Sequence, residues 1–168
     1  VRWAKENGVE LLITLDCGVK ALSQIQLAVD LGIDVIVCDH HEPGELLPLA
    51  LVLDPKQKDC PYPFKELSGC GVGFKLMQAL FSTQKWDDEP LFQNLDLLAL
   101  SIAADIVSIT DENRVLAFLG LNLFNEKPRK AFEALLQLAK KNMPLSLTDL
   151  VFIIAPRINA AGRLRSGR

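Results

Sequence analysis

Ile33 to His41, IDVIVCDHH, is the stretch that decides the fold. Its apolar run is too short for a buried helix and rich in β-branched residues, so it reads as a strand buried on both faces. It ends in an aspartate followed by the only two histidines of the chain. Upstream, VELLITLD (Val9 to Asp16), set between Gly8 and Gly18, reads the same way. Between these strands KALSQIQLAVDLG carries Leu22, Ile25, Leu27 and Val29 at roughly helical spacing, with Gly32 as a stop. LALVLDP is a third strand ended by Pro55. Apolar strands joined through a helix of this length imply a right-handed βαβ crossover and a parallel sheet covered on both faces. The expected fold class is therefore α/β, a parallel β-sheet flanked by helices.

From Gly69 onward the period changes. GVGFKLMQALF, LFQNLDLLALSIAADIV, NRVLAFLGLNLF and PRKAFEALLQLAKK repeat their apolar residues every three to four positions, so a mainly helical second half follows. Pro128 suits a first helical turn, and Ser146 with Asp149 forms an approximate capping box. STQKWDDEP reads as a loop.

In 168 residues, 49% hydrophobic and 23% charged, there is room for a sizeable core. No apolar run approaches the roughly 18 residues of a membrane span, and the N-terminal residues lack the segments of a secretory signal, so a cytoplasmic protein without a membrane partner is expected. Cys17, Cys38, Cys60 and Cys70 are too widely spaced for a CxxC knuckle and read as reduced, structural residues. The net charge of −3 argues against coating nucleic acid by overall charge. No acid follows Asp149, however, while Arg157, Arg163, Arg165 and Arg168 crowd the last dozen residues, which favours a local anionic partner. A start on Val1 and a close on RLRSGR read as a piece of a longer chain.

In an open parallel sheet, ligands collect beyond the carboxyl ends of the strands. Asp16 and Asp39 both occupy such ends, so two acids 23 positions apart are expected to share one crevice. Carboxylates with an imidazole suit a divalent ion such as Mn²⁺ better than Mg²⁺. Adjacent residues of an extended segment point to opposite sides, so His40 and His41 should differ in role, one ligating and the other serving a substrate oxygen. Asp105, interrupting the apolar LLALSIAADIV, is a third candidate acid. PRINAAGR admits two readings: a tight turn marked by Pro156 and Gly162, or a phosphate contact in which Arg157 and Arg163 donate and the small residues admit a nucleic-acid backbone. The glycines of GCGVGF do not fit a dinucleotide fingerprint and suggest the start of a helix packed near the crevice.

Asp39-His40-His41 resembles the motif that names the DHH phosphoesterase superfamily. ITLDCGV resembles its second aspartate motif and AADIVSITDENRVL its fourth, while YPFKELSGCGVGFKL and PRINAAGR resemble segments of the RecJ-type single-stranded-DNA exonucleases. The resemblance implies a hydrolase that uses two Mn²⁺ or Mg²⁺ ions to remove nucleotides from the 5′ end of single-stranded DNA in recombination and repair, alongside repair or replication proteins. It implies metal ligation by Asp16, His40 and Asp105, with Asp16 bridging the ions. It gives Asp39 the support of the histidines and His41 contact with the phosphate; the phosphate-contact reading of PRINAAGR makes Arg157, Asn159 and Arg163 the substrate-binding candidates.

The family's first motif, with two further acids, has no match in VRWAKENGVELL. The expected organisation is a partial DHH phosphoesterase domain over 1–145, with 146–168 beginning a connector toward a missing DHHA1-type domain. Taken alone, such a piece is expected to bind one Mn²⁺ weakly and to have little nuclease activity. Rival readings are a phosphoesterase of the same superfamily acting on pyrophosphate, cyclic dinucleotides or short RNA, and an inactive scaffold.

Overall fold

A computed structural model describes residues 1–164, with side chains through Ala161. It divides into two compact units, Val1–Met77 and Gln78 onward.

In the first unit, α1 (Arg2–Glu6) leads through Gly8 into β1 (Leu11–Leu15); α2 (Leu22–Asp30) then connects to β2 (Asp34–Cys38), and β3 (Leu51–Leu53) follows. The sheet is wholly parallel in the order β1-β2-β3, with Leu15 opposite Cys38 and Cys38 opposite Leu53. Alternation sorts the strand residues. Leu12, Val35, Val37 and Val52 pack with Ala4, Ile25 and Ala28 of α1 and α2. Ile36, Cys38 and Leu53 pack with Phe64, Leu67 and Val72 on the other face. Val72 belongs to α3 (Gly69–Gln84).

The expectation of a sheet covered on both faces fails at β1. Leu11, Ile13 and Leu15 stand 47%, 49% and 56% exposed, while the cluster on that face gathers Ile36, Cys38 and Leu53 of β2 and β3.

The second unit is helical: α4 (Glu89–Phe92), α5 (Leu95–Asp105), α6 (Asp111–Glu126), α7 (Lys130–Ala139), α8 (Leu147–Asp149), a π-helical turn (Leu150–Ile154) and α9 (Ala155–Leu164). Part of the stretch expected as a loop, STQKWDDEP, belongs to helices: α3 runs to Gln84, and Pro90 sits in the first turn of α4. Ala99 and Ala103 of α5, Phe124 of α6, Phe132 and Leu136 of α7, and Leu145, Leu150 and Ile154 form one core, in which the rings of Phe124 and Phe132 stack 4.5 Å apart. Gly120 lets α6 approach α5, since a Cβ there would lie 2.0 Å from the Leu95 carbonyl. Asp96, buried in α5, is held by a two-toothed ion pair with Arg129, Nε to Oδ2 at 2.5 Å and Nη2 to Oδ1 at 2.9 Å.

The Ser146 capping box forms: its hydroxyl accepts from Asp149 N–H, and the Asp149 carboxylate accepts from Ser146 N–H. Pro128 falls one residue before the α7 N-cap, Arg129, rather than in the first turn. PRINAAGR is helical, which removes its tight-turn reading. Pro156 has no N–H and its ring crowds the carbonyl four residues back, and the widened π turn just before it accommodates both demands. Among the described residues no helix is long and apolar enough to cross a membrane.

Candidate metal centre

Each strand of the sheet is followed at its carboxyl end by an aspartate: Asp16 after β1, Asp39 after β2, Asp54 after β3. The chain turns sharply at the first. Asp16 has φ 63, a left-handed conformation uncommon for a residue with a Cβ, and its N–H donates to the Cys38 carbonyl at 2.9 Å. Gly18, at φ 118, completes the turn.

Asp39 is 1% exposed and fully engaged. Its Oδ2 accepts the Val19 N–H at 2.9 Å. Its Oδ1 accepts the His40 N–H at 2.8 Å, the His41 N–H at 3.3 Å and the His41 ring at Nδ1, 2.7 Å away. Burial pushes the Asp39 carboxyl up, but the bonds from Val19, the His41 ring and the two histidine amides together hold it below the ordinary carboxylate range. An ionised Asp39 fixes the His41 proton on Nδ1 and leaves the lone pair on Nε2.

His40 is oriented differently. Its buried ring sets Nδ1 3.1 Å from the Leu67 carbonyl, which accepts only, so Nδ1 carries the proton. The Nε2 of a neutral His40 then turns a lone pair toward Asp16 Oδ1, also 3.1 Å away. Two acceptors facing each other at that distance call for a positive charge. Two donors about 2.1 Å from one octahedral ion stand about 3 Å apart, so the pair fits a divalent cation. One ligand atom from each of Asp16, His40 and His41 lies within 4.8 Å of the others. The two rings meet edge to face, 4.6 Å between centroids, with His40 buried and the His41 side chain 58% exposed.

Asp54 is a strand-end acid that the sequence reading misses, since Pro55 reads only as a strand stop. It is 2% exposed; Oδ1 accepts the Lys56 N–H at 2.8 Å, and Oδ2 has no protein partner. Burial raises its carboxyl, the Lys56 N–H opposes, and the charge of Asp39 adds to the rise. The available signal was the same strand-end position that singled out Asp16 and Asp39.

The other expected site residues lie in the second unit. Asp105 is the last residue of α5, exposed, with its carboxylate accepting the Ser101 hydroxyl at 3.4 Å, and Ile106 at φ 53 ends the helix. Beside it a cavity of about 400 Å³ is lined by Ala104, Ile106, Val151, Ala155, Asn159 and Ala160, among others. Arg157 is exposed and donates from Nη1 to the Ile153 carbonyl at 2.7 Å. The side chain of Arg163, with Arg165 and Arg168, lies outside the described residues. The structure thus gathers Asp16, His40 and His41 over Asp39, and sets Asp105 beside the Asn159 cavity.

A parallel α/β sheet with carboxylate and imidazole donors gathered beyond its strand ends defines a class of divalent-cation site. The family is specific: residues 2–102 match the DHH family, N-terminal domain, and the chain belongs to the DHH family. It is 43% identical over 165 residues to the single-stranded-DNA-specific exonuclease RecJ of Bacillus subtilis, covering 97% of this chain and 20% of that protein. To the protein of the same name from Escherichia coli it is 40% identical over 173 residues, covering 96% and 30%. The chain therefore spans a fifth to three tenths of these relatives' length. A crystal structure of exonuclease RecJ bound to manganese superposes with a TM-score of 0.82 at 29% identity, covering 98% of this chain and 42% of that one. RecJ in complex with Mn²⁺ from Thermus thermophilus gives 0.81 at 29% identity, covering 98% and 25%.

Proposed function

We infer that this chain belongs to the catalytic module of a metal-dependent exonuclease that hydrolyses single-stranded DNA from its 5′ end. The observation that carries the reading is the Asp16–His40 pair, two acceptors 3.1 Å apart, with His41 beside it on a buried carboxylate. The relatives' names and the manganese in the similar crystal structures support it.

Asp16 and His40 would hold Mn²⁺ or Mg²⁺, and family resemblance adds Asp105 as a ligand and a second ion in the complete enzyme. When bound, such ions stabilise the charge that develops on a phosphodiester and ease deprotonation of water. The residues of the chain supply orientation and proton handling. Leu67 fixes His40 so that Nε2 points to the pair, and Asp39 fixes His41 so that Nε2 can hold or release a proton at a phosphate oxygen. Arg157, Asn159 and Arg163 bind the DNA backbone, which needs donors but no base readout. A cytoplasmic role in recombination and repair, with repair or replication proteins as partners, completes the reading.

The complete protein tests it on a 3′-labelled, 5′-phosphorylated single strand in Mn²⁺, with pyrophosphate in parallel. Progressive 5′ loss that disappears in His40→Ala is expected. Release of phosphate from pyrophosphate with the DNA untouched would overturn the DNA assignment and keep the metal site.

A further inference from the structure

Leu67, Ser68 and Gly69 lead into α3 beside the candidate centre. Leu67 gives its carbonyl to His40 Nδ1. Ser68, fully buried, accepts the Gly71 N–H on its hydroxyl at 3.1 Å and so anchors the first turn. Gly69 lies against Asp16. A Cβ on Gly69 would stand 2.1 Å from Asp16 Oδ1, 2.5 Å from Cγ and 2.6 Å from Cβ. Rotating the Asp16 side chain moves the carboxylate but not its Cβ, and the Asp16 backbone is tied to Cys38 in a left-handed conformation. A side chain at 69 must therefore displace the turn after β1 or the start of α3. Space is the reason for glycine here.

We propose that Gly69 is a positioning residue of the metal centre, keeping open the space that lets the Asp16 carboxylate meet His40 Nε2. The proposal rests on the metal reading above. The neighbouring Gly71 provides the comparison, because a Cβ there approaches nothing nearer than the Ser68 hydroxyl at 3.3 Å.

The test is Mn²⁺ binding to the complete protein by calorimetry, for wild type, Gly69→Ala and Gly71→Ala. The expected result is a dissociation constant raised about 10- to 100-fold in Gly69→Ala, the usual effect of disturbing the support of a ligand, and nearly unchanged in Gly71→Ala. Wild-type affinity in Gly69→Ala would overturn the proposal and leave the metal site standing. Absence of Mn²⁺ binding in wild type would remove the metal reading, and this role for Gly69 with it. Thermal melts of the metal-free wild type, Gly69→Ala, Asp16→Gly and the double variant cover the case in which Gly69→Ala folds poorly. If the clash is with Asp16, Asp16→Gly restores most of the melting temperature lost in Gly69→Ala; no restoration would overturn the contact itself.

Discussion

Asp39 and His41, two residues apart in one short segment after β2, form a carboxylate–imidazole pair, Oδ1 to Nδ1 at 2.7 Å, and the Val19 N–H occupies the other carboxylate oxygen. The carboxylate is buried and the imidazole is half in solvent. Asp39 thus holds the His41 ring and the backbone of both histidines, and both its oxygens are occupied by donors.

Replacing Asp39 with Asn tests this. A carboxamide presents one oxygen and one NH₂ group, so at least one of the donors loses its acceptor. The expected loss is about 1–3 kcal/mol of stability, read by urea denaturation, together with a 10- to 100-fold fall in metal-dependent hydrolysis by the complete protein. Unchanged stability would show that the donors facing Asp39 find other partners.

In the second unit, Arg129→Ala leaves Asp96 buried in α5 with its charge uncompensated. Breaking a fully buried pair costs about 3–5 kcal/mol, and the partial exposure of Arg129 brings the expected value to about 2–3 kcal/mol. Replacing both partners, Arg129→Met with Asp96→Leu, should recover much of that loss in a denaturant titration. A double variant no more stable than the single one would contradict this.

The capping box gives a pH signature. Lys141, the Ser146 N–H and the Ser146 hydroxyl hold the Asp149 carboxyl at about 2, against an ordinary value of 3.8. A depressed folded-state value stabilises where the unfolded carboxyl is ionised, so the contribution is complete above about pH 5 and is lost as pH falls through 3.8 toward 2. Melting temperatures of wild type and Asp149→Asn should therefore differ by a constant amount near neutrality and converge in acid. A gap independent of pH down to 2 would assign the effect to cap geometry instead of charge.

Much of this was legible from the chain itself. The strands around Leu12 and Val35 announced themselves by apolar residues between glycines, and Asp16 and Asp39 by following those strands. Asp54 is harder to read because its strand is only three residues long and Pro55 follows it directly. The open face of β1 was hidden, since an apolar run looks the same whether one face is covered or both. Pro156 and Gly162 suggested a turn, and only the π turn ahead of Pro156 shows how the helix continues. Gly69 belongs to a different category: its significance is the volume beside Asp16, which no local pattern encodes.

The central claim is that Asp16 and His40 together hold a divalent ion, and a titration of Mn²⁺ into the metal-free complete protein, wild type and His40→Ala, tests it most directly. The account predicts saturable binding to wild type and at least a tenfold weaker dissociation constant in His40→Ala, with both proteins folded. Equal affinity in the two would contradict it, and the 3.1 Å pair would then be an ordinary contact between a protonated histidine and an aspartate.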